Sequence, residues 1–164
     1  MRTNKSLILL AALPMMALAN VPILGTVESK CVIQTDTSGV YGNPSPSKLS
    51  TDATSGGVKP IVRYDILVAD HYKAVVSYPL SFSSSPELED VVNWTGAVAV
   101  GQTSDAAMSA FETSKVSYNN TVEFDLSLTG SVWFDVDSEA EYGYDKSFPA
   151  GDYTAMVLAE CIAQ

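Results

Sequence analysis

The residue types that could support catalysis are scarce in this sequence. Its only histidine, His71, stands in the stretch ADHYKAV, so a Ser-His-Asp or Cys-His arrangement would have to use it. The neighbouring residues contain neither a nucleophile-elbow pattern nor another catalytic signature. One histidine also excludes a zinc site built from several histidines. We therefore interpret His71 as a half-buried strand residue and expect neither enzymatic activity nor a cofactor.

The richest group of potential ligands is the acidic segment FDVDSEAEYGYD. Its carboxylates are hard oxygen ligands of the kind that calcium prefers. A calcium loop would need glycine where this segment has Ala140 and glutamate where it has Lys146. The alternation instead indicates a strand with an acidic solvent face that runs into a turn. We therefore expect no tight calcium binding and no other metal site.

Three residues at the start of this segment could contact a ligand. Asp135 and Asp137 would lie on one strand face about 7 Å apart, a spacing that suits two glycosidase carboxylates but that any alternating acidic strand provides. Trp133 shares their parity, and an exposed tryptophan can stack on a sugar or fill a contact between subunits. A covering loop would leave Trp133 without such a role. The candidate ligand contacts are therefore Trp133, Asp135 and Asp137.

The beginning of the chain has the features of a secretory signal peptide. MRTNKSLILLAALPMMALA combines a basic start, a short apolar run and the small-residue cleavage pattern Ala17-Leu18-Ala19. The apolar run is shorter than the roughly 20 residues that span a bilayer. These features predict a signal peptide over residues 1–19 and a single mature domain over residues 20–164. The protein would be secreted or held at the cell surface, by way of the periplasm in a bacterial host.

The mature domain would be strongly acidic. It keeps seven basic residues against nineteen acidic ones, a net charge of −12. Such a surface repels phosphate backbones and anionic lipid headgroups. We therefore expect no binding to nucleic acid or to a membrane surface. No later stretch is long and apolar enough to predict a membrane span.

The two cysteines, Cys31 and Cys161, stand at opposite ends of the predicted domain. In an exported protein, two cysteines most simply form one disulfide. This bond would join the first strand to the last. It would close a loop of more than 100 residues, for which the chain-entropy model gives a stabilisation of about 4 to 5 kcal/mol.

Alternation with a period of two predicts that the domain is all-β. It is clearest in TVEFDLSLTGSVWFDVD, where apolar and polar residues alternate on both sides of Gly130. The glycine predicts a turn, a bulge or a bend. About seven short strands in one domain predict an immunoglobulin-like β-sandwich in the broad sense. The other candidate strands are residues 21–34, 60–69, 71–83, 90–100 and 153–162.

Three segments need a separate interpretation. SDAAMSAFE predicts a helical turn or two, capped by Ser104 and carrying Met108 and Phe111. Residues 42–57, GNPSPSKLSTDATSGG, are rich in Gly, Pro, Ser and Thr and predict a surface loop. Residues 153–162 are apolar on both faces, which suits an interior strand or one that awaits a partner.

Two short patterns stand near the ends of the predicted mature chain. The segment NVPILGTV has Val21, Ile23, Gly25 and Val27 on one parity, and Gly151 heads the apolar run near the C-terminus. In these two patterns the chain resembles the pilins of bacterial chaperone–usher fimbriae. Those pilins have a signal peptide, about 150 mature residues and an incomplete immunoglobulin-like sandwich, which the N-terminal strand of a neighbouring subunit completes by strand exchange. Their glycine fourteen residues from the C-terminus heads an alternating apolar strand that the chaperone binds, so Gly151 corresponds to that glycine and NVPILGTV to the donor strand.

The resemblance implies an exported structural or adhesive subunit that assembles through its N-terminal strand. Its partners would be copies of itself or related subunits, together with a periplasmic chaperone. The chain differs from the pilin pattern at Ala163, where pilins usually have an aromatic residue, and in its cysteines, since the pilin disulfide usually joins early neighbouring strands. A Cys31–Cys161 bond would instead join the two strands that flank the donor groove, where it could obstruct an incoming strand. The alternative is a self-contained secreted β-sandwich that binds carbohydrate or calcium.

Overall fold

The computed structural model describes residues 31–68 and 72–164. The predicted signal peptide, the donor-like residues that follow it, and His71 lie outside these ranges. The described residues form twelve strands, one short α-helix and two 3-10 turns, which confirms the all-β prediction. No helix in these two ranges is long and apolar enough to cross a bilayer.

Mostly short connections join the strands and the helix along the chain. In chain order the strands are β1 (Cys31–Thr37), β2 (Gly42–Ser45), β3 (Lys48–Ser50), β4 (Ile61–Ile66), β5 (Tyr72–Ser77), β6 (Phe82–Ser84), β7 (Val92–Thr103), β8 (Val116–Tyr118), β9 (Thr121–Leu126), β10 (Gly130–Tyr142), β11 (Thr154–Ala155) and β12 (Leu158–Ala163). The helix α1 (Phe111–Ser114) lies between β7 and β8.

The larger sheet is built around β10, the longest strand. One side of β10 pairs with β7, and the other side pairs first with β4 and then with β3. β1 extends this sheet beyond β4, and β2 extends it beyond β3, with every pairing antiparallel. The predicted interruption at Gly130 is confirmed, because β10 begins there with a φ of 138°, a conformation that glycine adopts without strain.

A second antiparallel sheet has the strand order β12-β5-β9-β8, and β11 pairs briefly with β6. Side chains from both sheets form one hydrophobic core. Phe134 of β10 lies 4.3 Å from Phe124 of β9 and 5.4 Å from Tyr64 of β4, measured between ring centroids. The alternation of β10 therefore has the expected result: its even-numbered residues from Val132 to Tyr142 are buried, whereas the odd-numbered ones face outwards.

The prediction of a surface loop over residues 42–57 is wrong in part. The segment contains β2 and β3, and β3 pairs with the second half of β10. Leu49 and Ser50 of β3 are buried. A strand of three residues is too short to show a period of two, so its turn-forming neighbours dominate the local pattern. Turn character remains at the 3-10 turn Ala53–Ser55, where the Asp52 carboxylate accepts the N–H of Thr54 at 2.8 Å.

The predicted helical turns precede β8, with a different cap. A 3-10 turn leads into α1, and Met108 and Phe111 are both buried in the core. Asp105, rather than Ser104, caps the turn, since its carboxylate accepts a backbone N–H at 2.8 Å. Ser104 Oγ instead accepts the N–H of Ser131 at 2.7 Å. That bond ties the turn to the start of β10.

Candidate functional site

A disulfide joins the edges of the two sheets. Cys31 begins β1, and Cys161 lies in β12, with their Cα atoms 6.4 Å apart. The predicted disulfide is therefore confirmed. Among the described strands, β1 pairs only with β4 and β12 only with β5. The bond holds these two edges together at one end.

Beside the disulfide, the two edges line a groove of about 860 Å³. One wall consists of the odd-numbered residues of β1 that follow Cys31. The other wall is formed by residues 148–159, which we call the terminal segment, with the exception of Leu158. Leu49 and Val62, both buried, also line the groove and connect it to the core. Neither cysteine lines it, so the disulfide bounds the groove without crossing it.

The groove lining is almost free of charge. Asp152 is the only charged residue among those that line it, although the chain has nineteen acidic and nine basic residues. Tyr41 also lines it, and its Oη lies 2.8 Å from Ser138 Oγ. Burial raises the pKa of the Tyr41 hydroxyl, against the smaller opposing effect of that hydrogen bond. The hydroxyl therefore stays neutral at physiological pH, and the groove favours an uncharged, apolar occupant.

Two sheet edges border the groove. Within the described residues, the outer sides of β1 and β12 have no strand partner. Such a side presents a row of backbone N–H and C=O groups that can pair with an added strand. The groove thus combines apolar walls with backbone groups of the kind that recognise extended chains.

Aromatic residues surround the end of the groove that is remote from the disulfide. The ring centroid of Phe82 lies 4.7 Å from that of Trp94 and 5.0 Å from that of Tyr153, and Phe148 lies 5.2 Å from Tyr153. Tyr153 Oη also donates a hydrogen bond to the carbonyl oxygen of Pro149 at 2.7 Å. Trp94 is half-buried in this cluster. The cluster holds the beginning of the terminal segment in place.

Gly151 lies in the groove lining at the beginning of the terminal segment. Its φ is 153°, and a Cβ atom there would lie 2.5 Å from Cγ of Pro86. Only glycine combines this backbone conformation with so close an approach. The structure therefore places this predicted assembly residue at the groove. The other predicted assembly residues lie outside the described ranges: Val21, Ile23, Gly25 and Val27.

The last strand is an edge strand in the described part of the chain, which corrects the alternative prediction of an interior strand. Ala159 and Cys161 of this strand pack against the core. Its even-numbered apolar residues, Leu158 and Ile162, are exposed because no other element covers that face in the described structure. Met156, two residues before the strand, is exposed as well.

The candidate ligand contacts Trp133, Asp135 and Asp137 lie on the outward face of the larger sheet and do not line the groove. Trp133 Nε1 donates a hydrogen bond to Asp36 Oδ1 at 3.1 Å. The guanidinium of Arg63 lies 5.0 Å from the centre of the Trp133 ring. Because its N–H group and one ring face are occupied within the protein, Trp133 is poorly suited to stack on a sugar.

The carboxylates of the acidic run pair with lysines across the sheet. Asp137 lies 2.8 Å from Lys59 Nζ, and Glu139 lies 2.6 Å from Lys48 Nζ. The hydrogen bonds to these carboxylates raise the pKa of each lysine. In the described parts of the chain, no group of three or more His, Cys, Asp or Glu side chains could hold a metal ion. The run therefore forms a solvated strand face.

Most groove residues carry no signal in the sequence. The groove draws on residues 38–41, Pro60 and Pro79, which belong to turns and connections without periodicity. In the sequence, only Gly151 and the apolar terminal strand pointed to this region of the structure. The groove forms because two edges that are distant in sequence lie side by side.

Comparison of the chain with protein-family models, with curated proteins and with solved structures finds no match. The geometry of the groove is therefore the basis for a functional conclusion.

Proposed function

We propose that this chain is an exported structural or adhesive subunit that assembles by strand addition. Residues 21–27 of one copy would lie in the groove of another. The observation that carries this proposal is the uncharged groove bordered by two sheet edges, β1 and β12, that lack a strand partner among the described residues. Strand addition uses both features, since backbone hydrogen bonds supply affinity and alternate side chains supply register.

In this proposal the two sheets form a β-sandwich that is immunoglobulin-like only in the broad sense. The seven strands of six or more residues are β1, β4, β5, β7, β9, β10 and β12. Numbered in that order, one sheet reads 1-2-6-4 and the other reads 7-3-5. A constant-type immunoglobulin domain reads 1-2-5-4 and 7-6-3. In both arrangements the first and last strands are sheet edges, and here these edges flank the groove.

The length and pattern of the predicted donor segment suit this groove. β1 has seven residues, and seven extended residues span about 23 Å. Residues 21–27 have the same number and would reach the same distance. Their alternation would direct Val21, Ile23 and Val27 between the two sheets, whereas Gly25 would allow a close approach of the backbones.

Charge supports the same occupant. The segment NVPILGTV contains no charged residue, in a chain with a net charge of −10. Two acidic bodies repel one another, so contact through an uncharged strand in an uncharged groove avoids the main electrostatic cost.

Two variants test the donor and the acceptor separately. Ile23→Asp places a charge on the donor segment and should weaken self-association more than tenfold, because it removes a buried side chain worth about 1.5 to 3 kcal/mol. Met156→Asp places a charge at the groove, at a position that is 60% exposed and therefore tolerant in the free subunit. Leu158→Asp is its matched control, since Leu158 is 64% exposed but does not line the groove.

Mixing the first two variants gives the sharpest outcome. The Ile23→Asp protein keeps an intact groove, and the Met156→Asp protein keeps an intact donor. Analytical ultracentrifugation should therefore show each variant alone as a monomer and the mixture as a one-to-one complex. Leu158→Asp should assemble like wild type. A wild-type protein that is a stable monomer, together with an Ile23→Asp variant that unfolds by circular dichroism, would show that residues 21–27 form an ordinary internal strand.

A second candidate function is a self-contained secreted sandwich that binds a small apolar ligand in the same groove. The observation that favours it is the groove volume of about 860 Å³, which falls within the roughly 300 to 1,000 Å³ of small-molecule sites. In this case wild type would remain monomeric at all concentrations. Met156→Asp would then weaken binding of an apolar fluorescent probe without affecting the oligomeric state.

A further inference from the structure

The outer side of β7 is covered by two side chains from the region of α1. β7 pairs only with β10 among the described strands, so it forms the other edge of the larger sheet. Glu112 Oε2 accepts the backbone N–H of Val100 at 2.8 Å, and Lys115 Nζ donates to the carbonyl oxygen of Val98 at 3.0 Å. Glu112 and Lys115 also bond to each other. Together they occupy a donor and an acceptor that an added strand would use.

The sequence of β7 explains why this edge needs cover. The strand is twelve residues long, VNWTGAVAVGQT, and contains neither a charged residue nor a proline. Protein edges normally avoid strand addition through short length, charge, proline or a covering element. The centre of β7, GAVAVG, is uncharged and apolar. β7 itself carries no residue that would prevent strand addition. Glu112 of α1 and Lys115, which follows α1, therefore protect this edge.

We infer that β7 is a second strand-accepting edge that Glu112 and Lys115 hold closed. The partner that it would accept is β7 of a second copy, paired antiparallel around Val98 and Val100. An uncharged strand does not repel its own copy, and antiparallel pairing of identical strands gives a two-fold interface in which both copies make the same contacts. This inference concerns the edge opposite to the groove and does not depend on the proposed function.

The closed edge limits where another chain can pair with the protein. With β7 covered, the edges that remain among the described strands include β1 and β12 at the groove and the short strands β2 and β8. β7 is longer than each of these strands. The Glu112–Lys115 pair therefore removes the longest edge from those that could accept a strand.

The test is the double variant Glu112→Ala/Lys115→Ala, made together with Ile23→Asp so that the predicted donor segment cannot contribute. The matched control is Lys48→Ala/Glu139→Ala in the same background. It removes an ion pair of the same charges, at 2.6 Å, that bonds no edge backbone group. Sedimentation velocity should show a dimer for the first protein, because a two-fold interface closes at two copies, and monomer for the control. Amide exchange at Val100 should be about tenfold faster in the monomer fraction, because its hydrogen-bond acceptor is missing.

Two further variants separate edge pairing from misfolding. Ala97→Lys, at an exposed position of β7, should return the double variant to monomer, because a lysine on an edge strand disfavours pairing with another strand. Glu112→Gln keeps an oxygen acceptor and should stay monomeric. The inference is wrong if the double variant sediments like the control. Association that persists unchanged with Ala97→Lys would also overturn it, and so would unchanged amide exchange at Val100 in Glu112→Ala.

Discussion

Tyr64 Oη donates a hydrogen bond to the backbone carbonyl oxygen of Glu160 at 3.0 Å. Tyr64 belongs to β4 of the larger sheet and is fully buried, whereas Glu160 belongs to β12 of the second sheet. The same hydroxyl lies 3.4 Å from the carbonyl oxygen of Val75 in β5. This bond and the disulfide both connect β12 to the larger sheet, so they set the position of one wall of the groove.

Replacing Tyr64 by Phe should lower the free energy of unfolding by about 1 to 2 kcal/mol, because the carbonyl group of Glu160 would lose its buried partner. Urea denaturation at neutral pH measures this difference. Tyr118→Phe is the control, since Tyr118 is half exposed and its hydroxyl bonds the Glu123 carboxylate at the surface. Equal losses in the two variants would contradict a special role for the buried bond.

The same residue predicts the behaviour of the protein in alkali. Burial raises the pKa of Tyr64 well above its usual value of 10.0, so the folded state keeps this proton where the unfolded state loses it. The resulting stability is fully present below about pH 10 and declines as the pH rises further. Tyr64→Phe should therefore lose less stability than wild type between about pH 8 and pH 11. Parallel losses in the two proteins would assign the alkaline sensitivity to other groups.

Removal of the disulfide should cost the protein much of its stability. The bond closes a separation of 130 residues, and the chain-entropy model gives about 4 to 5 kcal/mol for loops of this size. Urea titrations of wild type should shift to lower midpoint with reductant. The Cys31→Ala/Cys161→Ala variant should have the lower midpoint in both conditions. A wild-type midpoint that does not respond to complete reduction, checked by mass, would contradict this prediction.

Gly151→Ala should destabilise the protein by about 1 to 3 kcal/mol, because alanine rarely adopts this backbone conformation and its Cβ would lie 2.5 Å from Pro86. Gly56→Ala is the control. Gly56 also has a positive φ, of 77°, but a Cβ atom added there would have no neighbouring atom within 4 Å. Gly56→Ala should therefore cost only about 1 kcal/mol or less. Thermal melting of the two variants measures the difference, and equal costs would exclude the Pro86 contact as a cause.

Calcium should not stabilise the protein. The carboxylates of Asp137 and Glu139 are already paired with Lys59 and Lys48, and separate side chains along one strand do not surround an ion. Melting midpoints measured with calcium and with a chelator should agree. A saturable upward shift that disappears in Asp137→Asn would instead identify a calcium-dependent binding module.

The features that could be predicted from the sequence are local. The alternation on both sides of Gly130 predicted two strands and the break between them, because side-chain direction in a strand depends only on neighbouring residues. The disulfide could be predicted because two cysteines in a chain predicted to be exported have one possible pairing. Met108 and Phe111 could be assigned to a helical turn for the same local reason, although the cap was assigned to Ser104 and is Asp105.

Only the tertiary structure decided which strands are edges and what lies beside them. β3 became a strand because β10 is long enough to pair with it after pairing with β4. Arg63 packs on one face of the Trp133 ring, and Asp36 accepts the hydrogen bond of its N–H group. Glu112 and Lys115 bond the backbone at the outer side of β7. The groove likewise exists because β1 and β12, 130 residues apart at their disulfide, meet at one side of the core. Each of these contacts joins residues that are distant in sequence, so no local sequence pattern predicts it. The packing of the two sheets determines these contacts.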